Sequence, residues 1–423
     1  MSQQAVATEQ QVCVLGLGHV GLPTALLAAN SHDVIGVDID QDHVDALNAG
    51  DLPIEEPGMD DLFDRVNGQF AAQTTVPDAD IYVIVTPTPV RTESGIADMS
   101  YIRAAAEMLV PTLDAGDLVI LESTVPPGTT ERLIAPILEE SGLSVGDFHL
   151  AYCPERASPG DTLTEITQNN RVVGGVDESS VAHAVAFYES FVEGAIRTTT
   201  PRTAEFVKLM ENTFRDVNIA LANEFALIAE EFELDVHEAT SLANEHPRVN
   251  VHHPGPGVGG HCIPVDPQFL SQHATHDRLI SLAREVNNSM AGHVIRTIRS
   301  ALCDDRKATI TLFGVAYKAD VEDTRKTPAN QLVELMESLG YEVRVYDPFV
   351  TEFAVDPESL DSAVNGSDCI VVVTDHSEFA TLDPESFASK MATKTVVDTR
   401  DVIDRKRWQQ AGFSVSVLGD GTV

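Results

Sequence analysis

With 423 residues, 43% of them hydrophobic, the chain has enough apolar material for two or three domains with real cores. No uninterrupted apolar run reaches the roughly 18 residues that a membrane-spanning helix needs. The 66 acidic side chains against 27 basic ones leave a net charge of −39, which repels nucleic acid and anionic membrane and excludes both as general partners.

Residues 1 to 10 read as a disordered lead-in, and the polar start Ser2-Gln3-Gln4 through Glu9-Gln10-Gln11 lacks the basic-then-apolar pattern of an export signal. Five scattered cysteines, Cys13, Cys153, Cys262, Cys303 and Cys369, form neither a disulfide framework nor a close-spaced metal pattern, so a cytoplasmic protein with reduced thiols is expected. The first element is the apolar run Val12-Cys13-Val14-Leu15, which enters Gly16-Leu17-Gly18-His19-Val20-Gly21 and then a helical Thr24-to-Ala29 segment. Strand, glycine turn and helix follow in the order of a dinucleotide fold. The glycines let the turn close on a pyrophosphate, and the helix start offers unpaired N–H groups. A second strand, Val34 to Val37, ends on Asp38, placed for ribose hydroxyls and favouring NAD over NADP.

The alternation continues with strands at Ile81 to Val85, Asp117 to Glu122, Phe148 to Tyr152 and Arg171 to Gly174. Their exit loops bring Thr88, then Ser123-Thr124-Val125-Pro126-Pro127-Gly128-Thr129, then Cys153-Pro154-Glu155-Arg156, to the strand ends where open α/β sheets bind ligands. Thr88 and Thr124 are candidate contacts, or ordinary turn residues. Glu155 and Arg156 suit catalysis and anion binding, or a surface ion pair.

After Thr200-Pro201 the pattern becomes a long helix, about Thr203 to Phe232. Lys208 and Asn212 share a face with Arg215 one further turn along, while Glu211 and Asp216 are expected on other faces. Only seven of the basic residues are lysines, so one among Phe206, Val207, Leu209 and Met210 points to function: an alcohol losing its proton while its oxygen is held. His246 and Arg248 follow, fit to grip phosphate or merely structural. The run Pro254-Gly255-Pro256-Gly257-Val258-Gly259-Gly260-His261-Cys262 then strips side chains from a backbone ahead of one thiol, with Asp266 four residues on. It reads as a substrate loop delivering a nucleophile that His261, Asp266 or a distant lysine would activate, or else as a flexible linker with an inert cysteine. A second long helix, about Asp277 to Leu302, is expected to pack on the first and to contribute to a dimer interface. A second, smaller α/β domain follows, with strands at Thr309 to Phe313, Glu342 to Tyr346, Cys369 to Val373 and Thr395 to Val397. Its Lys318, Arg325, Lys326 and Arg400 concentrate positive charge and suggest an anionic ligand at an interdomain cleft.

Taken together, Gly16 to Gly21, Ser123 to Thr130, Cys153 to Arg156, Lys208 to Asn212, Gly257 to Asp266 and Asp323 to Pro328 resemble the UDP-sugar 6-dehydrogenases, the UDP-glucose/UDP-mannuronate dehydrogenase family, over essentially the whole chain. The stretch His246 to Asn250 and the Pro254-to-Cys262 loop look most like the branch acting on UDP-N-acetyl-D-mannosamine; UDP-GlcNAc or UDP-glucose are the alternatives. Pro264, Gln268 and His19 depart from the family pattern at positions that bear on sugar preference. The resemblance implies an α/β fold in three parts: an NAD-binding Rossmann domain (1–200), a central helical dimerisation region (201–304) and a Rossmann-like UDP-binding domain (305–423). It also implies a homodimer or higher homo-oligomer and no metal.

By the same resemblance, Gly16, Gly18, His19, Val20, Gly21, Asp38, Thr88, Thr124 and Arg325 hold NAD. Glu155, Arg156, Ala157, Lys208, Asn212, Arg215, His246, Arg248, Gly257, Tyr317 and Lys318 hold the UDP-sugar. The implied reaction is a four-electron oxidation. Lys208, directly or through a water held by Asp266 or Thr124, accepts the C6 hydroxyl proton. Cys262 captures the aldehyde, and water oriented by Glu155, Thr124 or Asp266 hydrolyses the resulting thioester while Asn212 and Lys208 stabilise oxyanions. A two-electron hydroxyacid or phosphogluconate-type dehydrogenase would also pair a Rossmann domain with a Lys–Asn helix, but it has no need of Cys262. An idle NAD-binding protein would bind cofactor and turn nothing over. A zinc site from His252, His253, His261 and Cys262 lacks the spacing of a tetrahedral set.

A net charge of −39 loosens a fold by self-repulsion, and molar salt screens it to within a few ångström. The unfolding temperature, followed by circular dichroism, is expected to rise from low to molar salt; a flat response would remove the salt-loving reading.

Overall fold

The structure, a computed structural model, describes residues 10–54, 56–91, 96–272, 274–305 and 307–421, so most of the expected lead-in lies outside the described residues. The chain separates into two compact units, residues 1–210 with 268–273 and residues 211–267 with 274–423.

Among the described residues the first unit has eight strands: β1 (Gln11–Leu15), β2 (Asp33–Val37), β3 (Phe70–Gln73), β4 (Ile81–Ile84), β5 (Leu118–Leu121), β6 (His149–Tyr152), β7 (Arg171–Gly175) and β8 (Ile196–Thr199). Their spatial order is β3-β2-β1-β4-β5-β6-β7-β8, parallel throughout except for the β6–β7 pair. Central strands such as Ile-Tyr-Val-Ile in β4 and Leu-Val-Ile-Leu in β5 are buried on both faces, as a sheet covered by helices requires. Side-chain alternation divides β1 between two cores. Val12 and Val14 pack with Leu22, Leu26 and Phe63, whereas Cys13 and Leu15 pack with Ile102, Leu109 and Phe148. Because β1 lies between β2 and β4, the chain leaves its carboxyl end at the point where strand order reverses, the usual ligand crevice of this topology.

The described residues of the second unit form five parallel strands, β9 (Thr309–Phe313), β10 (Glu342–Tyr346), β11 (Cys369–Val372), β12 (Thr395–Asp398) and β13 (Ser414–Val417), in the order β10-β9-β11-β12-β13. One core joins Val294 and Ile298 of the Arg278–Ala301 helix to Ile310, Leu312, Leu332 and Met336. The other gathers Trp408, Phe387, Phe413 and Phe313. Thr327 caps the Pro328–Leu339 helix by accepting from the Ala329 N–H, with proline at the first helical position and Gly340 closing it at φ 93°.

The long helix runs Pro201–Glu231, starting two residues before the sequence expectation because Pro201 occupies a first-turn position where its missing N–H costs nothing. Strands β3, β8 and β13 were not expected from the sequence.

Candidate functional site

In the first unit the glycine turn has the geometry of a phosphate cradle. Gly16 adopts φ 95° with its amide on the Val37 carbonyl (2.8 Å), and a Cβ there would lie 2.6 Å from the Val85 carbonyl oxygen. A Cβ on Gly21 would fall 1.8 Å from the Gly16 carbonyl oxygen, so the Gly21–Ala28 helix could not start so close to β1 with any larger residue. Above Gly18, by contrast, nothing lies within 4 Å of an added Cβ, which leaves backbone open to a ligand. Asp38 accepts from the Leu17 N–H (2.9 Å) and the Asp40 N–H (3.1 Å), bracing the turn, and a carboxylate keeps further lone pairs for ribose hydroxyls. These residues fit a dinucleotide. His19 and Val20 complete the turn, and Thr88 lies half-buried on the loop after β4.

The loop after β5 is fastened at two points. Ser123 donates to the Thr86 carbonyl (2.7 Å), tying it to the loop after β4. Glu205, fully buried on the long helix, receives the Gly128 N–H, the Thr130 N–H (2.8 Å) and the Thr130 hydroxyl (2.7 Å). The loop that carries half-buried Thr124 is thus fastened at its far end by a carboxylate that stands three residues before Lys208. Burial pushes the Glu205 pKa up, against the pull of the two amides. The sequence reading missed Glu205, although its spacing of three from Lys208 puts both on one helix face.

Lys208 is 5% exposed and donates to the Glu155 carboxylate (2.6 Å) and the Glu155 carbonyl (2.9 Å). The other carboxylate oxygen of Glu155 accepts from the Ala157 N–H (2.8 Å). Burial alone would raise the Glu155 pKa, but Lys208, the Ala157 amide and Arg171 outweigh it and hold the carboxyl below its ordinary range. Glu155 therefore pairs with Lys208, and its neighbour Arg156 directs Nη1 to the Asn170 carbonyl (2.6 Å). Two further acids support this end of the sheet. Glu56 receives the Gly160 N–H (3.0 Å) and the Thr162 hydroxyl (2.8 Å), fixing the loop after Ala157, and Glu122 forms a fully buried ion pair with Arg171 (2.6 Å).

In the second unit Asn212 donates to Asp266 (2.6 Å), both nearly inaccessible. Exposed Cys262 precedes Asp266 by one turn, its carbonyl accepting from the Val265 N–H (3.0 Å) and the Asp266 N–H (2.8 Å). The glycines before it are needed for close approach. A Cβ on Gly259 would meet the Tyr317 Cβ at 2.8 Å and the Lys326 carbonyl oxygen at 2.9 Å, and one on Gly260 would meet the Tyr317 ring at 3.0 Å. Burial, Asp323 and Cys262 together push Tyr317 up to about 12. Arg325, expected to reach the cofactor, forks onto Asp323 (2.8 and 2.9 Å through Nε) while its carbonyl holds the Gly260 amide (3.0 Å). Arg400, noted in the sequence only for its charge, donates to the Val373 carbonyl (3.0 Å) and lies against Gly255, where a Cβ would come within 2.6 Å of Nη1. His246 and Arg248 sit on an exposed segment where the Arg248 N–H donates to the His246 ring (3.3 Å), and Lys318 is half-buried. Among the described residues no three His, Cys, Asp or Glu side chains gather as a metal site.

One sequence expectation fails. Asp216 is expected on a different face from Lys208 and Asn212; instead it is fully buried beside them, while Arg215, two turns from Lys208, is exposed. At about 100° per residue Asp216 follows Asn212 by one turn, and Arg284 (2.6 Å) meets its charge.

Three consecutive family models match the chain: the UDP-glucose/GDP-mannose dehydrogenase family's NAD binding domain over residues 10–192, its central domain over 202–289 and its UDP binding domain over 311–405. The chain is similar to a UDP-N-acetyl-D-mannosamine dehydrogenase of Methanocaldococcus jannaschii, 44% identical with 97% of each chain covered. It also resembles the solved UDP-D-ManNAc dehydrogenase of Pyrococcus horikoshii, with TM-score 0.92 and 41% identity over 98% of this chain and all of that one. An NDP-N-acetyl-D-galactosaminuronic acid dehydrogenase of Ralstonia solanacearum is 41% identical over 94% of this chain and 97% of its own.

The depressed pKa of Glu155 sets a pH window for stability. Its ion pair contributes fully above the ordinary carboxylate value of 4.5 and is lost as pH falls through the lower folded value. Glu155→Gln is expected to cost about 3 kcal/mol at pH 7, as a buried lysine left without its counter-charge implies. The deficit should shrink below pH 4.5; denaturant unfolding of both proteins from pH 3 to 7 measures it.

Proposed function

The chain belongs to the UDP-glucose/GDP-mannose dehydrogenase family, and from that premise we propose that it oxidises C6 of UDP-N-acetyl-D-mannosamine to the carboxylate in two successive two-electron steps. The observation that carries the four-electron reading is Cys262: an exposed thiol at the end of a glycine run, one turn from an aspartate that an asparagine holds. A two-electron dehydrogenase has no use for it. The names of the Methanocaldococcus and Pyrococcus relatives support the mannosamine sugar.

NAD, when bound, is the acceptor of hydride from C6, once in each oxidation. Lys208, donating to Glu155, is an ammonium and so a donor for an oxygen that gains charge. The Lys208–Glu155 pair accepts the alcohol proton as a unit, since the lysine can take it only after passing its own to the carboxylate. The Cys262 thiolate adds to the aldehyde carbon, and the oxyanion so formed is stabilised by the Asn212 amide and the Lys208 ammonium. Loss of hydride from this adduct leaves a thioester. Water oriented by Thr124, Asp266 or Glu155 attacks its carbonyl carbon, and the thiolate departs to regenerate the enzyme. Arg156, Ala157, Arg215, His246, Arg248, Gly257, Tyr317 and Lys318 would hold the UDP-sugar, and Arg325 the cofactor. Residues 1–200 would serve NAD, 201–304 the chemistry and 305–423 the UDP group.

The functional molecule is a homodimer in the cytoplasm of a salt-loving cell. Support for the dimer is a stripe of exposed side chains on the long helix and just past its end: Phe206, Met210, Phe214, Leu221, Phe225, Ile228 and Phe232, at helical spacing. An isologous second copy would cover it.

NADH formation in high salt, with UDP-ManNAc, UDP-GlcNAc and UDP-glucose at equal concentration, tests the reaction. Two NADH per UDP-ManNAc are expected, little from the other sugars, and no uronate from Cys262→Ser. One NADH per sugar would remove Cys262 from its role, and no turnover would return the hydroxyacid or idle-binder readings. Light scattering of the wild type and of Phe214→Asp/Phe225→Asp tests the dimer, with a halved mass expected for the variant and an unchanged mass counting against this face.

A further inference from the structure

The Cys262 loop is gripped at both ends by one helix. At its carboxyl end Asn212 holds Asp266; at its amino end Asn223, fully buried, accepts from the Gly255 N–H (2.8 Å). Asn212 and Asn223 are eleven residues apart, three turns, and so lie on the same face about 16 Å from each other. Behind Asn223 stands a line of buried polar groups. Its Nδ2 donates to Asn287 Oδ1 (2.8 Å). Asn287 Nδ2 in turn donates to Asp216, at the carboxylate (2.9 Å) and the carbonyl (3.1 Å), and Arg284 closes the line on the same carboxylate (2.6 Å).

The two ends leave this line only one direction. The Gly255 amide can only donate, and an aspartate paired with an arginine can only accept. Asn287 must therefore present its NH2 to Asp216 and its oxygen to Asn223, which must turn its own oxygen to Gly255. Asn287 touches the loop again, since a Cβ on Gly257 would lie 3.5 Å from its carbonyl oxygen. The bonds from Gly255 through Asn223 and Asn287 to Asp216 are all made, and a buried line so connected fixes one geometry.

We propose that Asn223, backed by Asn287, Asp216 and Arg284, is a positioning residue that aims the Cys262 loop from its amino end, and that it governs the second oxidation more than the first. The inference rests on the reading of Cys262 as nucleophile. The first hydride transfer needs only a proton acceptor for the alcohol, whereas capture of the aldehyde needs the sulfur within attack distance of its carbon. A loop displaced by about an ångström forfeits capture at a cost of ten- to a hundredfold.

The full-length enzyme is assayed with UDP-ManNAc and NAD in high salt, with semicarbazide present to trap released aldehyde, and nucleotide sugars are separated chromatographically. Wild type is expected to give two NADH per uronate and little adduct. Asn223→Ala is expected to raise NADH per uronate above two, accumulate the semicarbazone, and slow uronate formation roughly ten- to a hundredfold while initial NADH formation falls less. Asn287→Ala, one link further from the loop, should shift the ratio the same way by a smaller factor. A ratio fixed at two in both variants, with both oxidations slowed alike, would overturn the proposal. So would failure of both variants to fold, which would make the line part of the core and not of the loop's aim. If the wild type yields one NADH per sugar, or Cys262→Ser still makes uronate, the nucleophile reading itself falls and takes this proposal with it.

Discussion

A cation that leaves water needs an anion beside it, and in this chain that requirement organises the buried polar contacts. Lys208 is buried against Glu155, Arg171 against Glu122 and Arg284 against Asp216, each at 2.6 Å. Such pairs add little net stability, because desolvation offsets most of their attraction, but breaking one is costly. Their effect is directional. Glu155 is bound on one oxygen by Lys208 and on the other by the Ala157 amide, so the loop after β6 cannot turn without breaking the pair. Asp216, paired with Arg284, becomes the fixed acceptor from which two asparagines take their orientation. In a protein so rich in acids the scarce resource is positive charge, and these three cations are spent on geometry.

Much of the fold was legible because the glycine turn and the double-sided apolar runs have few other solutions. Val12 to Leu15, Ile81 to Ile84 and Leu118 to Leu121 are central strands of a parallel sheet, and such strands must be apolar on both faces. The three strands that escaped notice share one reason. β3 and β8 are the edges of the larger sheet and β13 an edge of the smaller one. An edge strand has one neighbour and water nearby, so Phe-Ala-Ala-Gln, Ile-Arg-Thr-Thr and Ser-Val-Ser-Val suffice there although none reads as a core segment.

In the candidate site, side chains whose local spacing carries a signal could be proposed from the sequence, and contacts defined by distant partners could not. Lys208 and Asn212 announce themselves by a four-residue step on a helix, and Cys262 by the glycines before it. That Lys208 meets Glu155, or that Glu205 caps the Thr124 loop, depends on segments more than fifty residues away in the chain. The misplacement of Asp216 has a different origin. Its spacing of four from Asn212 was available in the sequence, but an acid on a strongly acidic protein reads as solvated surface until Arg284 and Asn287 are seen against it.

The two grips on the Cys262 loop have unequal tolerance. Eleven residues separate Asn212 from Asn223, and eleven separate Gly255 from Asp266. The helix fixes its eleven at about 16 Å, whereas the same number extended would reach about 36 Å. More than half of the loop's contour is therefore slack, taken up in the glycine bends that bring backbone against Tyr317 and Pro328. A residue added to or removed from the loop leaves both asparagine contacts within reach, although it moves the sulfur between them. The same change in the helix rotates one asparagine by about 100° away from its partner and breaks the register. Among descendants of this chain, the helix between its two asparagines has a length that cannot drift.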